Sequence, residues 1–393
     1  MKDSKRIVFL DYLRVIACFM VMAIHASEPY YLAFEDGVTV TKIASRFDAL
    51  CITAVEGLCR VCVPLFVMAS SYLLFPLTRP AGEFFRRRLT RIAVPFAVWS
   101  IAYTFYFGGD WGRLAFNFPD AGGHLWFVPM LLGLYLLMPL ISPWAEKAGE
   151  KEIRGWLILW LATTTFPFVR KLWGALYGDP AFGAVPYLWG ECPWNMFGTF
   201  YYVSGFFGYV LLGYYFRRFV PELTWDRTLV IALPLWLAGV AVVAGGFCLR
   251  VPECPFTRPY AFAVDLEMSI EYCSLGVALA VIGAFLVLRK LNGGGAFYTK
   301  LVKPLSEASY GTYLLHMFVL IPVFAYFQPK LSTPLAICAT AVSSFSVSSL
   351  ISAAVRKVPI VGRWLCGRNG EYAFRIFLPC AKRMGYNPND EKI

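Results

Sequence analysis

The sequence predicts an all-α integral membrane protein: a polytopic bundle of about ten transmembrane helices with both termini cytoplasmic. Three observations carry that expectation. Of 393 residues, 58% are hydrophobic and 16% charged, against roughly 45–50% and 25% in a soluble domain. No soluble fold hides that much apolar surface, and 17% aromatic residues exclude a disordered chain. The apolar residues also recur in runs close to the ~20 residues that cross a bilayer. Finally, the cations are distributed unevenly between alternate loops.

The runs fall at 7–26, 58–77, 92–108, 124–143, 155–173, 197–216, 228–248, 269–288, 307–327 and 333–355. The first follows Lys2, Lys5 and Arg6, and no small-residue cleavage site succeeds it, so it reads as a retained anchor. Pro64, Pro95, Pro129 and Pro322 fall inside runs, where they are expected to kink the helices. With the N-terminus inside, 26 of the 36 Lys and Arg lie in inner segments and 8 in outer ones, while Arg14 and Arg60 lie within or at the edge of spans. Cations are retained in cytoplasmic loops, so this split supports inner termini and an even number of spans. The longer outer loops are 27–57, 174–196 and 249–268. Residues 1–355 read as one membrane domain, and 356–393 as a short basic tail on the inner membrane face. The net charge of +11 therefore needs no nucleic acid to explain it. No internal repeat is present, which weighs against a transporter of the inverted-repeat kind.

The eleven cysteines show no metal-ligand spacing, and no metal site is expected. Cys59 and Cys62 form a C-x-x-C at the start of an apolar run and read as small packing groups. Cys192, Cys248 and Cys254 lie in or beside outer segments, where a disulfide could form.

Ionisable residues within a span are costly and point to function. The first span carries Asp11, Arg14 and His25. Arg14 and His25 are eleven residues apart, which puts them on one helix face about 16 Å apart along the axis. One helix thus offers a cation deep on its inner side and an imidazole near its outer end. Pairing of Arg14 with Asp11, or capping of His25 by Glu28, would be a purely structural use of these groups. The only other histidines are His124 and His316. His124 opens the fourth span, and His316 lies midway along the ninth. Arg86, Arg87, Arg88 and Arg91 close an inner loop, and planar guanidinium groups suit phosphate; the same charges would also serve topology. Glu56 and Arg60, four apart, read as a structural ion pair. Asp265, Glu267 and Glu271 read as solvated residues near an outer span end. From these residues alone, chemistry on a substrate and its passage through a transporter or flippase both remain open.

Five segments carry a resemblance. They are Leu10–Arg14 with His25, an R-x10-H pattern; Val63–Met68 running to Tyr72–Leu74; Phe85–Leu89 with Arg91, Ile92 and Pro95; His124–Phe127 with Leu134, Tyr135 and Pro139; and Ser306–His316. In this order the chain resembles the membrane acyltransferase-3 family, the polytopic O-acyltransferases of bacterial glycans, from about residue 7 to 355. One departure is Ser70-Ser71 where the family usually has Ser-Gly, a glycine that would serve close helix packing. The resemblance implies an acyl-CoA donor, usually acetyl-CoA, used as a substrate from the cytoplasm, with no tightly bound cofactor. It implies an extracytoplasmic glycan or lipid-linked sugar as acceptor, and the bacterial plasma membrane as location. His25 would be the general base, or would carry the acyl group transiently. Arg14 would meet the donor along its passage. Arg86, Arg87, Arg88 and Arg91 would hold CoA phosphates, and His124, Trp126 and His316 would lie on the substrate. No obligate protein partner is implied.

Overall fold

The computed structural model describes residues 6–35, 38–112, 123–165, 203–248, 251–254 and 270–367. Apart from a two-stranded hairpin, β1 (Ala33–Glu35) against β2 (Val38–Val40), the described chain is helical. Helix α1 (Val8–Ser27) runs through the middle of the bundle. Around it stand α2 (Arg46–Cys59), α3 (Cys62–Leu74), α11 (Lys303–Phe327) and α12 (Thr333–Lys357), all of which pack on it. Between them in sequence come α4 (Ala81–Arg88), α5 (Val94–Phe107), α6 (Phe127–Lys147), α7 (Glu150–Thr163), α8 (Phe207–Arg218), α9 (Trp225–Cys248) and α10 (Leu275–Leu288). A short α13 (Pro359–Cys366) follows α12 and packs back on α5, held by a bond from Trp99 Nε1 to Leu365 O of 2.9 Å.

Among the described residues, six segments are long and apolar enough to cross a membrane: Val8–Tyr30, Arg46–Leu74, Gly123–Lys147, Trp225–Gly245, Tyr298–Phe327 and Thr333–Lys357. The expected runs at 92–108 and 269–288 contain shorter helices, α5 and α10, of 14 residues each. The runs at 155–173 and 197–216 lie partly outside the described residues, as do most of the loops 174–196 and 249–268 and the tail beyond 367. Cys192, Asp265 and Glu267 are also outside them.

The expectation that 27–57 is a loop is corrected. Ser45 caps α2, its hydroxyl accepting from the Asp48 N–H at 3.1 Å, so helix begins at Arg46 and the second span is broken in two at Arg60 and Val61. Two of the four prolines are also reassigned. Pro64 and Pro129 sit in the first turns of α3 and α6, where an absent N–H costs nothing, whereas Pro95 follows a π-helical turn, Leu89–Ala93, that joins α4 to α5 without a break. Pro322 does lie inside a helix.

The bundle closes on small residues, as expected where lipid supplies no drive for helix association. A side chain at Gly283 of α10 would strike Trp236 of α9, and one at Gly213 of α8 would meet the Met68 carbonyl of α3 at 2.8 Å. Gly213 also faces Ser71, whose hydroxyl donates to Val210 O at 2.5 Å. The close approach that a glycine at position 71 would permit is thus supplied from the opposite helix.

Candidate active site

Glu28 follows the last residue of α1, and its backbone is still helical (φ −51°, ψ −42°) because a 3-10 turn continues the winding. That places its carboxylate over His25, three residues back. The His25 Nδ1–H donates to Glu28 Oε2 at 2.5 Å. With Nδ1 carrying the proton, Nε2 is left with a lone pair. A carboxylate so placed holds the ring and stabilises the imidazolium that forms when Nε2 takes a proton.

The three histidines of the chain, from α1, the turn before α6, and α11, converge. Ring centroids of His25 and His316 are 5.1 Å apart, His124 and His316 5.0 Å, and His25 and His124 6.4 Å. His316 is fully buried, its Nδ1–H donating to Tyr313 O at 2.5 Å. The Nε2 atoms of His124 and His316 are buried without a hydrogen-bond partner. Tyr313 ties the group together further, its hydroxyl donating to His124 O at 2.7 Å. Among the described residues, no group of His, Cys, Asp and Glu is arranged to hold a metal ion.

His25, Glu28 and His124 line a cavity of about 320 Å³ with Arg60, Glu271 and a wall of Trp126, Phe206 and Tyr272. The rings of Trp126 and Tyr272 are 5.5 Å apart. Arg60 is held from three sides. Its Nη1 lies 3.5 Å from Glu56 Oε2, its Nε donates to Ile270 O at 3.0 Å, and its guanidinium lies 4.7 Å from the Tyr272 ring centre. Glu56 Oε1 accepts from Ser27 Oγ at 2.7 Å and from the Tyr31 hydroxyl at 2.9 Å. The Glu56–Arg60 pair therefore sits at the break of the second span and links it to α1. Cys248 and Cys254 are free thiols, as are Cys59 and Cys62.

Arg14 lies elsewhere, in a larger cavity of about 1030 Å³. Asp11 is engaged by other groups: Arg6 Nε at 2.6 Å, Ser306 Oγ at 2.6 Å and the Tyr298 hydroxyl at 2.7 Å. Arg14 Nη1 is 3.7 Å from the same carboxylate, near the limit of an ion pair, and its side chain faces the cavity. Arg88, Arg91, Arg217 and Arg356 line that cavity too. With Arg6 the basin holds six guanidinium groups against two carboxylates, Asp11 and Glu307, and so suits a polyanion. Arg86 and Arg87 are not in its lining; Arg87 pairs with Glu83 at 2.7 Å. The structure thus brings Arg88 and Arg91 to Arg14, and His124 and Trp126 to His25. His316 stands behind the two other rings, outside the cavity lining.

Glu28 was legible in the sequence only if the helix wound past Ser27. Arg217 and Arg356 carried no signal of their own, because a cation at an inner helix end also serves topology. Tyr313 could have been found from its i,i+3 spacing to His316.

No curated protein and no solved structure matches the chain. A family model described as an acyltransferase domain matches residues 7–353, nearly the whole chain. That match runs from α1 into α12, and so contains the half-buried imidazole–carboxylate pair and most of the arginine-lined basin. The chain belongs to this acyltransferase family and is a membrane acyltransferase.

Proposed function

We propose that the protein moves an acyl group, most simply acetyl, from cytoplasmic acyl-CoA to a hydroxyl of an extracytoplasmic glycan or lipid-linked sugar. In this reading the chain has about ten spans and cytoplasmic termini in a bacterial plasma membrane, and the residues after 355 form a basic tail on the inner face. The observation that carries the reading is a division of labour along one helix. Arg14 faces the arginine-lined basin, whereas His25 and Glu28 face the smaller cavity.

Arg14, Arg88 and Arg91 hold the phosphates and polar arm of CoA in the basin, with Arg86 and Arg87 adding to the positive field at its mouth. The thioester end reaches the smaller cavity. There the acceptor lies against Trp126, whose flat ring suits the C–H face of a sugar, and near His124. His25 Nε2 removes the proton from the acceptor hydroxyl as its oxygen attacks the thioester carbonyl carbon. Glu28 holds the resulting imidazolium. When the tetrahedral intermediate collapses, the C–S bond breaks, and the CoA thiolate takes the proton from His25. His316 backs the two other rings. Its Nδ1–H, held by Tyr313 O, fixes the orientation of its ring beside them.

The test is CoA release from acetyl-CoA by purified protein, with an envelope-glycan extract as acceptor. Wild type should release CoA and label the glycan, and His25→Ala should do neither while remaining folded. Equal labelling by His25→Ala would remove the base assignment. A transporter without chemistry would consume no acyl-CoA in either form.

A further inference from the structure

The two cavities share four lining residues: Val21, Val63, Phe127 and Tyr313. Each comes from a different helix, α1, α3, α6 and α11 in that order. On every one of these helices, residues at helical spacing continue from the shared position into the basin. They are Arg14 on α1, Phe66 and Ser70 on α3, Leu131 and Tyr135 on α6, and Ser306, Ser309 and Tyr310 on α11. The cavities therefore adjoin as two chambers with these four side chains between them.

Three of these side chains are buried and Phe127 is half-buried. Val21 and Val63 are each 6% exposed and Tyr313 8%. The Tyr313 ring packs edge-on against Phe127 at 5.8 Å, and Phe127 packs against Phe66 at 6.0 Å. The Tyr313 hydroxyl is fixed by its bond to His124 O. None of the four residues bears a charge, so they do not select by electrostatics. The arm of CoA would thread between the same residues, so their effect on the donor is as one wall of the smaller chamber, where a close-packed apolar surface resists added methylene groups. That chamber, at about 320 Å³, is near the lower end for small-molecule sites, and it must also admit the acceptor.

We infer that Val21, Val63, Phe127 and Tyr313 form a throat whose wall bounds the acyl chain in the smaller chamber, admitting short chains and excluding longer ones. The inference rests on the acyltransfer reading above. It assigns chain-length specificity to the wall between the chambers, away from the arginines that hold CoA and the histidine that does the chemistry.

The experiment measures CoA release from acetyl-, butyryl- and hexanoyl-CoA by the full-length protein. Wild type should favour acetyl over hexanoyl. Phe127→Ala and Val63→Ala should each shift the hexanoyl-to-acetyl ratio of kcat/KM upward by about tenfold or more, the scale of discrimination by a few methylenes in an apolar site. Val63→Leu should shift the butyryl-to-acetyl ratio downward. A purely structural role would lower turnover of all three donors together and leave the ratios unmoved. If Phe127→Ala does not fold, the two Val63 variants, which change the throat in opposite directions, still decide the matter. Equal use of hexanoyl and acetyl by wild type, or ratios unchanged within about twofold in the Val63 variants, would overturn the throat while leaving acyltransfer intact. Absence of turnover by wild type with every donor would overturn the acyltransfer reading and the throat with it.

Discussion

Replacing Glu28 with Gln removes one charge and almost no volume, which isolates the electrostatic contribution of the carboxylate to His25. The contact is short, 2.5 Å from Nδ1 to Oε2, and both groups line the same small cavity. Taking the two charge centres as about 4 Å apart and an effective dielectric constant near 20, the attraction is about 4 kcal/mol. This attraction exists only once His25 is protonated, so it acts on the transition state and not on bound substrate. At about 1.36 kcal/mol per decade, Glu28→Gln should lower kcat roughly a thousandfold. The amide adds a second penalty, because its NH2 can turn toward Nδ1 and favour the tautomer with the proton on Nε2, the wrong atom for a base. Donor KM should stay within about threefold of wild type, since the basin is a separate chamber and the lost interaction is absent from the ground state. The assay is initial-rate CoA release at saturating acetyl-CoA, beside a thermal melt to confirm folding. A well-folded Glu28→Gln protein with kcat within about threefold of wild type would refute the dyad. A raised donor KM with unchanged kcat would place Glu28 on the substrate instead.

Two further outcomes follow from the polar groups around the chambers. Arg14→Ala should raise donor KM by about ten- to a hundredfold, the cost of one charge-assisted phosphate contact of roughly 1.5–3 kcal/mol; because Asp11 keeps its bonds to Arg6, Ser306 and Tyr298, the melting temperature should hardly move. Unchanged donor KM and rate in that variant would make Arg14 a structural residue. Glu56→Gln keeps acceptors for Ser27 and Tyr31 but leaves Arg60 without its counter-charge; breaking a buried pair this way costs about 3–5 kcal/mol, which should be read as a large drop in melting temperature in detergent. A melting temperature within a degree or two of wild type would show that water or another group compensates Arg60.

How much of this was legible in the sequence depends on whether a feature is local. Composition and apolar runs suffice for the class, because a bilayer leaves the backbone almost no alternative to helix. The shared face of Arg14 and His25 follows from helical geometry alone, and the structure puts the two in adjoining chambers. Segment ends were harder. Helix α2 begins at Arg46 because Ser45 caps it, and its charged first turn hid that start from an apolar-run reading. Pro64 and Pro129 fall in first turns that a run of apolar residues does not reveal, because it does not show where a helix begins. The family match over residues 7–353 agrees with motifs spread from Leu10 to His316, each weak alone. The meeting of His25, His124 and His316, however, joins positions up to 291 apart, and no spacing rule connects them. The same is true of Arg217 and Arg356 in the basin and of the four-residue throat, each of which depends on how the helices pack. In a bilayer that packing is set by small-residue contacts such as Gly213 on Met68 and Gly283 on Trp236, between segments remote in the chain. Composition and spacing alone specify a helical membrane protein with one chemically loaded helix face. Which side chains from the other helices complete that face, and which of them stand between the two chambers, depends on long-range packing that no local pattern encodes.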